Sequence, residues 1–193
     1  MSWARTRRLA LREFGPDDED DLVQMHLDPR VSTWLIDDLP LHEPALARRF
    51  IQHMAQVYRL YEGVGAWHVT LLHPRPCFVG FYSLMPIARW PGEIELGGRL
   101  VPAAWGRGLA MEGGELLLEH AFERLGFDRV WAVCSPDNGS AKLLNAALGF
   151  EPLAVAPRPG PPASHWRIDA STWRQRRNES RSVRLRRALR AAA

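Results

Sequence analysis

The chain has 193 residues, 46% of them hydrophobic and 24% charged, a composition that supports one buried core and excludes a disordered, fibrous or disulfide-stapled protein. No apolar run reaches the ~18 residues of a membrane span, and the opening MSWARTRRLALREF lacks the apolar stretch of a secretory leader, so a cytoplasmic address is expected. The formal charge of +3 is uneven: residues 174–193 hold eight arginines against Glu179, a local balance of +7 that leaves −4 on residues 1–173, so the basic character belongs to a tail and does not argue for nucleic acid on the folded body.

RLALREF (8–14) alternates as a first strand, and Gly15-Pro16 followed by DDEDD opens a helix whose early acids suit the positive end of its dipole. Leu22 and Met25 should face inward until Pro29 stops it. After the loop VSTWLIDDLP, Leu46, Phe50, Met54, Val57 and Tyr61 recur at spacings of 4, 4, 3 and 4, the stripe of a second helix closed by Gly63. AWHVTLL (66–72) and FVGFYSLM (78–85) read as a hairpin across His73 to Pro76. EIELGGRLV (93–101) alternates as the next strand, and its internal Gly97-Gly98 pair predicts a bulge or a close backbone approach.

A helix is predicted from about Arg107 to Leu125, ending before Gly126. RVWAVC (129–134) is the apolar run of a strand buried on both faces, and Asp137 or Asn138 caps a helix carrying Ala141, Leu144, Ala147 and Leu148 up to Gly149. A short strand around Leu153 to Ala156 gives way to a loop with Pro157, Pro159, Pro161 and Pro162, and HWRID (165–169) is the last strand. RSVRLRRALR (181–190) is a basic amphipathic segment too short to hold a helix alone in water, so the tail is expected to be disordered, with RNA or ribosome contact as the alternative. Cys77 and Cys134 read as reduced thiols, and the seven histidines show no ligand spacing, so no metal is expected.

The informative stretch is RLVPAAWGRGLAMEGGELLLEHAF (99–122), in which an apolar strand runs through Trp105-Gly106-Arg107-Gly108-Leu109-Ala110 into a helix. Glycines at a helix mouth let backbone N–H groups approach an anion, and Arg107 adds a formal charge, although the spacing is neither a P-loop nor the glycine pattern of dinucleotide folds. Together with FDRVWAVCSPDNGSAKLLNAALGFEP, this stretch resembles the GNAT superfamily of acyl-CoA N-acyltransferases, within it the RimJ/RimL-type ribosomal-protein N-terminal acetyltransferases, over roughly residues 6–173. The resemblance implies a single α+β domain with a mixed, mostly antiparallel sheet of about seven strands, about four helices, and one parallel pair, 93–101 and 129–134, that splays after a bulge to admit acetyl-CoA.

It also implies that the backbone of Leu100 and Val101 takes the pantetheine arm, that Gly106, Arg107, Gly108, Leu109 and Ala110 hold the pyrophosphate, and that Asn138 bonds the pantetheine amides. Direct transfer needs a base for the amine and a donor for the oxyanion, here Glu95 and an N–H near Leu100. Two departures stand out. Gly98 replaces an aromatic residue and should open the acceptor side, and Ala141 replaces a serine proposed as the acid for the leaving thiolate, which leaves Ser140 as a substitute. Trp34, Asp37, Asp38 and Glu93 are expected to wall an acidic acceptor mouth that favours a cationic amine. The expected activity is transfer to a protein or peptide N-terminus. The alternatives are a polyamine or aminoglycoside acetyltransferase, or a silent CoA-binding domain acting through its tail.

Overall fold

The computed structural model describes residues 3–36, 41–88, 90–154 and 162–191. Its strands are β1 (Ala4–Arg5), β2 (Leu9–Glu13), β3 (Gly65–Leu71), β4 (Cys77–Pro86), β5 (Ile94–Leu100), β6 (Arg129–Cys134), β7 (Glu151–Pro152) and β8 (Ser164–Asp169). The helices are α1 (Glu19–Leu27), α2 (Pro29–Ser32), α3 (Pro44–Leu60), α4 (Leu109–Glu119), α5 (Gly139–Leu148), α6 (Ala170–Arg176) and α7 (Arg181–Ala191). The strands form one sheet in the order β1-β2-β3-β4-β5-β6-β8-β7, antiparallel throughout except between β5 and β6. None of the helices among the described residues is long and apolar enough to cross a membrane.

Period-two alternation splits the core between the two faces of the sheet. On one face Trp67, Tyr82, Leu84, Ile94 and Leu96 pack with Leu109, Leu117 and Leu118 of α4. On the other, Ala66 and Phe81 pack with Leu22 and Met25 of α1 and with Ala47, Ile51, Met54 and Val57 of α3. Burying each large side chain of this kind contributes about 1.5–3 kcal/mol. The stripe of α3 is therefore turned by one residue at its start from the expected Leu46–Phe50 register: Leu46 and Phe50 are half-buried and Tyr61 is 52% exposed.

Gly97-Gly98 does not form a bulge, because β4 and β5 pair in continuous register from Pro86 opposite Ile94 to Gly80 opposite Leu100. The irregularity lies between β3 and β4, at Val69/Thr70. The glycines instead permit close approach. A Cβ on Gly98 would sit 2.8 Å from the Tyr82 ring, and one on Gly113 of α4 would sit 2.1 Å from it. Tyr82 is thus held between strand and helix, and its hydroxyl donates to the Leu109 carbonyl at 2.8 Å. Burial raises its pKa and keeps it a neutral donor.

The tail differs from its expectation. α6 runs to Arg176, and α7 (Arg181–Ala191) packs on α5 with Ala188 buried in the main core, so most of the described tail is helical and docked. A helix too short to stand alone is held by tertiary contacts. Arginines of the tail meet acids of the body, Arg174 and Arg177 at Glu123 and Arg181 and Arg184 at Glu115, while Arg187 meets Glu179 within the tail. The expected strand around Leu153 to Ala156 is replaced by β7, and residues 155–161 lie outside the described residues.

Candidate active site

β5 and β6 run parallel but pair at a single place, Glu95 opposite Trp131. The N–H of Val101 donates to the Val79 carbonyl at 3.0 Å, which fixes the phase of the β4–β5 ladder. The alternation of an antiparallel ladder then turns the N–H and C=O groups of Leu96, Gly98 and Leu100 toward β6. Beyond Glu95 the strands diverge, so the Gly98 backbone and the Leu100 N–H border an opening. Such an edge accepts an extended ligand as an added strand. Val101, expected on this edge, has its N–H committed to β4, and the Leu100 carbonyl is taken by Trp105 Nε1 at 2.8 Å.

The opening is part of a cleft of about 2170 Å³. That exceeds the ~300–1,000 Å³ of an ordinary small-ligand pocket and leaves room for a donor and an acceptor together. At one end, Gly106 and Gly108 both adopt φ of 70°, a left-handed conformation that glycine takes without strain. Gly108 caps α4 with no side-chain hydrogen bond, so the first-turn N–H groups of Leu109, Ala110 and Met111 remain as anion donors at the positive end of the helix. The Leu109 side chain points into the core and only its backbone serves the turn. Arg8 braces the turn, donating Nη1 to the Arg107 carbonyl at 2.8 Å while pairing with Glu112 at 2.6 Å. Burial alone would raise the Glu112 pKa, but hydrogen bonds from Thr6 and Arg8 lower it below the ordinary carboxylate value.

β6 and α5 form the opposite wall through Val133, Cys134, Asn138 and Ser140. Asn138 is the N-cap of α5, its Oδ1 accepting from the Ala141 N–H at 3.0 Å, which leaves the Nδ2 donors for a ligand. Ser140, exposed in the first turn of α5, borders the same cleft as Glu95, while Ala141 brings only its N–H to the Asn138 cap. Burial pushes the Cys134 thiol up, so it stays protonated.

The acceptor end differs from its expectation in two respects. Glu93 does not line the cleft: it accepts from Trp131 Nε1 at 2.7 Å and lies 3.8 Å from Arg129. Gly98 makes room for Tyr82, so its missing side chain serves packing of the core. Trp34 borders the cleft at 38% exposure beside Leu35, Ile36, Leu46 and Phe50, while Asp37 and Asp38 lie outside the described residues. Among the described lining residues Glu95 is the one carboxylate, and the wall facing it is mainly apolar. His53, Cys134 and His165 also border the cleft. Sequence alone does not mark them, because the apolar stripe of α3 points to another phase and β6 and β8 have the pattern of plain core strands.

The group best suited to a metal among the described residues, Asp18, Asp21 and His68, lies apart from the cleft lining. Its Asp18 carboxylate is already bound by both terminal nitrogens of Arg12 at 2.6 Å, an arrangement that leaves little for a cation.

A family model described as the acetyltransferase (GNAT) domain matches residues 8–151. The chain belongs to the GNAT acetyltransferase family. Among curated relatives, the uncharacterized N-acetyltransferase p20 of Bacillus licheniformis is 30% identical over 152 residues, spanning 78% of this chain and 83% of its own length. An acetyltransferase structure from Agrobacterium tumefaciens superposes with a TM-score of 0.70 at 25% identity, covering 86% of this chain and 92% of that one. RimL, a ribosomal L7/L12 alpha-N-protein acetyltransferase solved with coenzyme A, shares the fold at a TM-score of 0.71 and 15% identity, over 88% of this chain and 98% of its own. GNAT proteins use acetyl-CoA, and this one is an acetyl-CoA-dependent acyltransferase. The divergence of β5 from β6 and the open turn before α4 suit that donor, an extended amide-bearing arm joined to a pyrophosphate.

Proposed function

We propose that the chain acetylates a primary amine, most simply the N-terminus of a protein or peptide, with Glu95 as the base. The observation that carries this reading is the position of Glu95. It stands at the last point where β5 and β6 touch, and it is the one carboxylate among the described residues lining the cleft. One acid in a mainly apolar wall matches one ammonium attached to an apolar chain, and it matches a polyamine or an aminoglycoside less well, since several cations would then need partners. The fold neighbour RimL, which acts on a protein α-amine, supports the same choice.

The donor arm would lie along the free edge of β5 and hydrogen-bond the Gly98 backbone. The Leu100 N–H would face the thioester oxygen as negative charge develops there. Glu95 would take the amine proton directly or through one water. Asn138 would hold the arm from the α5 side through Nδ2, and the N–H groups of Gly108 to Ala110, with Arg107, would hold the pyrophosphate. The leaving thiolate needs little help, because a thiol has a pKa of only ~8.5, and Ser140 offers a hydroxyl in the α5 wall that could return a proton.

The test is acetyl-CoA-dependent thiol release against N-terminal peptides, polyamines and aminoglycosides, with hydrolysis subtracted. Turnover on peptides is expected, with Glu95→Gln lowering kcat by about 100-fold, the low end of general-base effects. Turnover confined to polyamines or aminoglycosides would reject the acceptor, and an unimpaired Glu95→Gln would reject the base.

A further inference from the structure

α7, outside the region matched by the family model, contributes to the cleft lining together with the Gly106–Gly108 turn. Arg181 opens this helix and Leu185 follows one turn later, and both border the same cleft as Gly106, Gly108 and Ser140. We propose that Arg181 binds the ribose 3′-phosphate of coenzyme A, which makes α7 a specificity element for the phosphorylated nucleotide end of the donor. The inference rests on the reading that this cleft holds acetyl-CoA with its pyrophosphate at the turn before α4.

A chain of charges links that turn to α7. Arg8 donates to the Arg107 carbonyl and pairs with Glu112. Glu112 lies 3.8 Å from Arg181 Nη1, and Arg181 Nε donates to Glu115 Oε2 at 2.9 Å. Arg184, 93% buried, shares Glu115, and its own Nε is buried without a hydrogen-bond partner. Three arginines thus share two glutamates, and Arg107 adds a further cation at the turn. The cluster carries more positive than negative charge, and Arg181 is its member that borders the cleft, an arrangement that attracts an anion.

Glu115 fixes the Arg181 guanidinium from one side, and its Nη1 has only the longer ion pair with Glu112, so donor capacity remains for a ligand. A pre-positioned guanidinium fork matches a phosphomonoester in geometry and charge. Coenzyme A carries such a group on its ribose, one nucleotide beyond the pyrophosphate. Leu185, 43% exposed on the same side, offers an apolar surface for the adjoining base.

The test is calorimetric binding of coenzyme A and of 3′-dephospho-coenzyme A to the full chain and its variants. The wild type should prefer coenzyme A by about tenfold, the scale of one charge-assisted contact. Arg181→Ala should lose that tenfold for coenzyme A and bind the dephospho form as the wild type does. Arg181→Lys, which keeps the charge and the Glu115 partner, should retain a two- to threefold preference and covers the case in which the alanine variant fails to fold. An equal loss on both ligands would show that Arg181 merely anchors α7, and a preference that survives in Arg181→Ala would place the phosphate elsewhere; either result overturns the proposal. A wild type that binds both forms equally also overturns it, and one that binds neither overturns the acetyl-CoA site itself.

Discussion

Tyr82 governs how closely α4 approaches the sheet. Its ring occupies the space that side chains at Gly98 and Gly113 would need, and its hydroxyl ties the first turn of α4 to β4. Gly113→Ala should therefore destabilise the fold although alanine favours a helix by about 1 kcal/mol over glycine. The new Cβ would meet a ring already confined on its other side, and such overpacking costs about 1–3 kcal/mol and shifts the helix that carries the anion-binding turn. After the helix gain the net loss is about 1 kcal/mol, for which a fall in Tm of about 2–4 °C is expected. Gly114→Ala, whose Cβ would meet the movable end of Leu148 at 2.7 Å, should be milder, and a stabilising Gly113→Ala in thermal melts would contradict this packing. At this scale the sequence was only partly legible. Glu95, Asn138 and the Gly106–Ala110 turn are singled out by the family resemblance, and Glu95, Asn138, Gly106, Gly108, Leu109 and Ala110 border one cleft. The Gly98–Tyr82 contact could not, because it joins two strands and a helix whose proximity is a tertiary fact.

Elements followed the sequence where periodicity was long and failed where phase or partner mattered. RVWAVC became β6 with the expected bounds, and the predicted hairpin became β3 and β4. The stripe on α3 started one residue off because Leu46 and Phe50 are apolar for another purpose, lining the cleft, and apolarity alone cannot separate a core face from a binding wall. α4 is held at its start by Glu112, which faces Thr6 and Arg8 from the turn between β1 and β2 and Arg181 from the last helix. Its lowered pKa fixes the sign of a pH effect. A carboxylate stabilised in the folded state contributes stability above its ordinary value of 4.5, and that contribution is lost as pH falls through the lower folded value. Glu112→Gln should accordingly cost about 2 kcal/mol at pH 7, as expected when one partner of a buried charged hydrogen bond is removed. The gap from wild type should narrow as urea melts are repeated below pH 4.5. A gap that stays constant with pH would mean that the loss is one of packing.

For the molecule as a whole, the resemblance carried by two adjacent segments located the fold, the splayed pair and the acetyl-CoA chemistry. It did not locate the tail. Eight arginines in twenty residues read as a solvated basic run, whereas five of them find acids on α4, on its final turn or at Glu179, and Ala188 joins the core. Those acids lie 51 to 69 residues earlier in the chain for all but Glu179, a separation that local reading cannot bridge. The folded body and the tail are thus one unit, with the cleft running from the apolar wall of α3 past Glu95 to α7. In our proposal the free edge of β5 receives the donor as an added strand. Amide hydrogen exchange resolved by NMR, with and without coenzyme A, tests it most directly. New protection is expected at the Gly98 and Leu100 amides and at Leu109 to Met111, with Arg99 and Val101, already bonded to β4, unchanged. Tight binding of coenzyme A without added protection along β5 would contradict it.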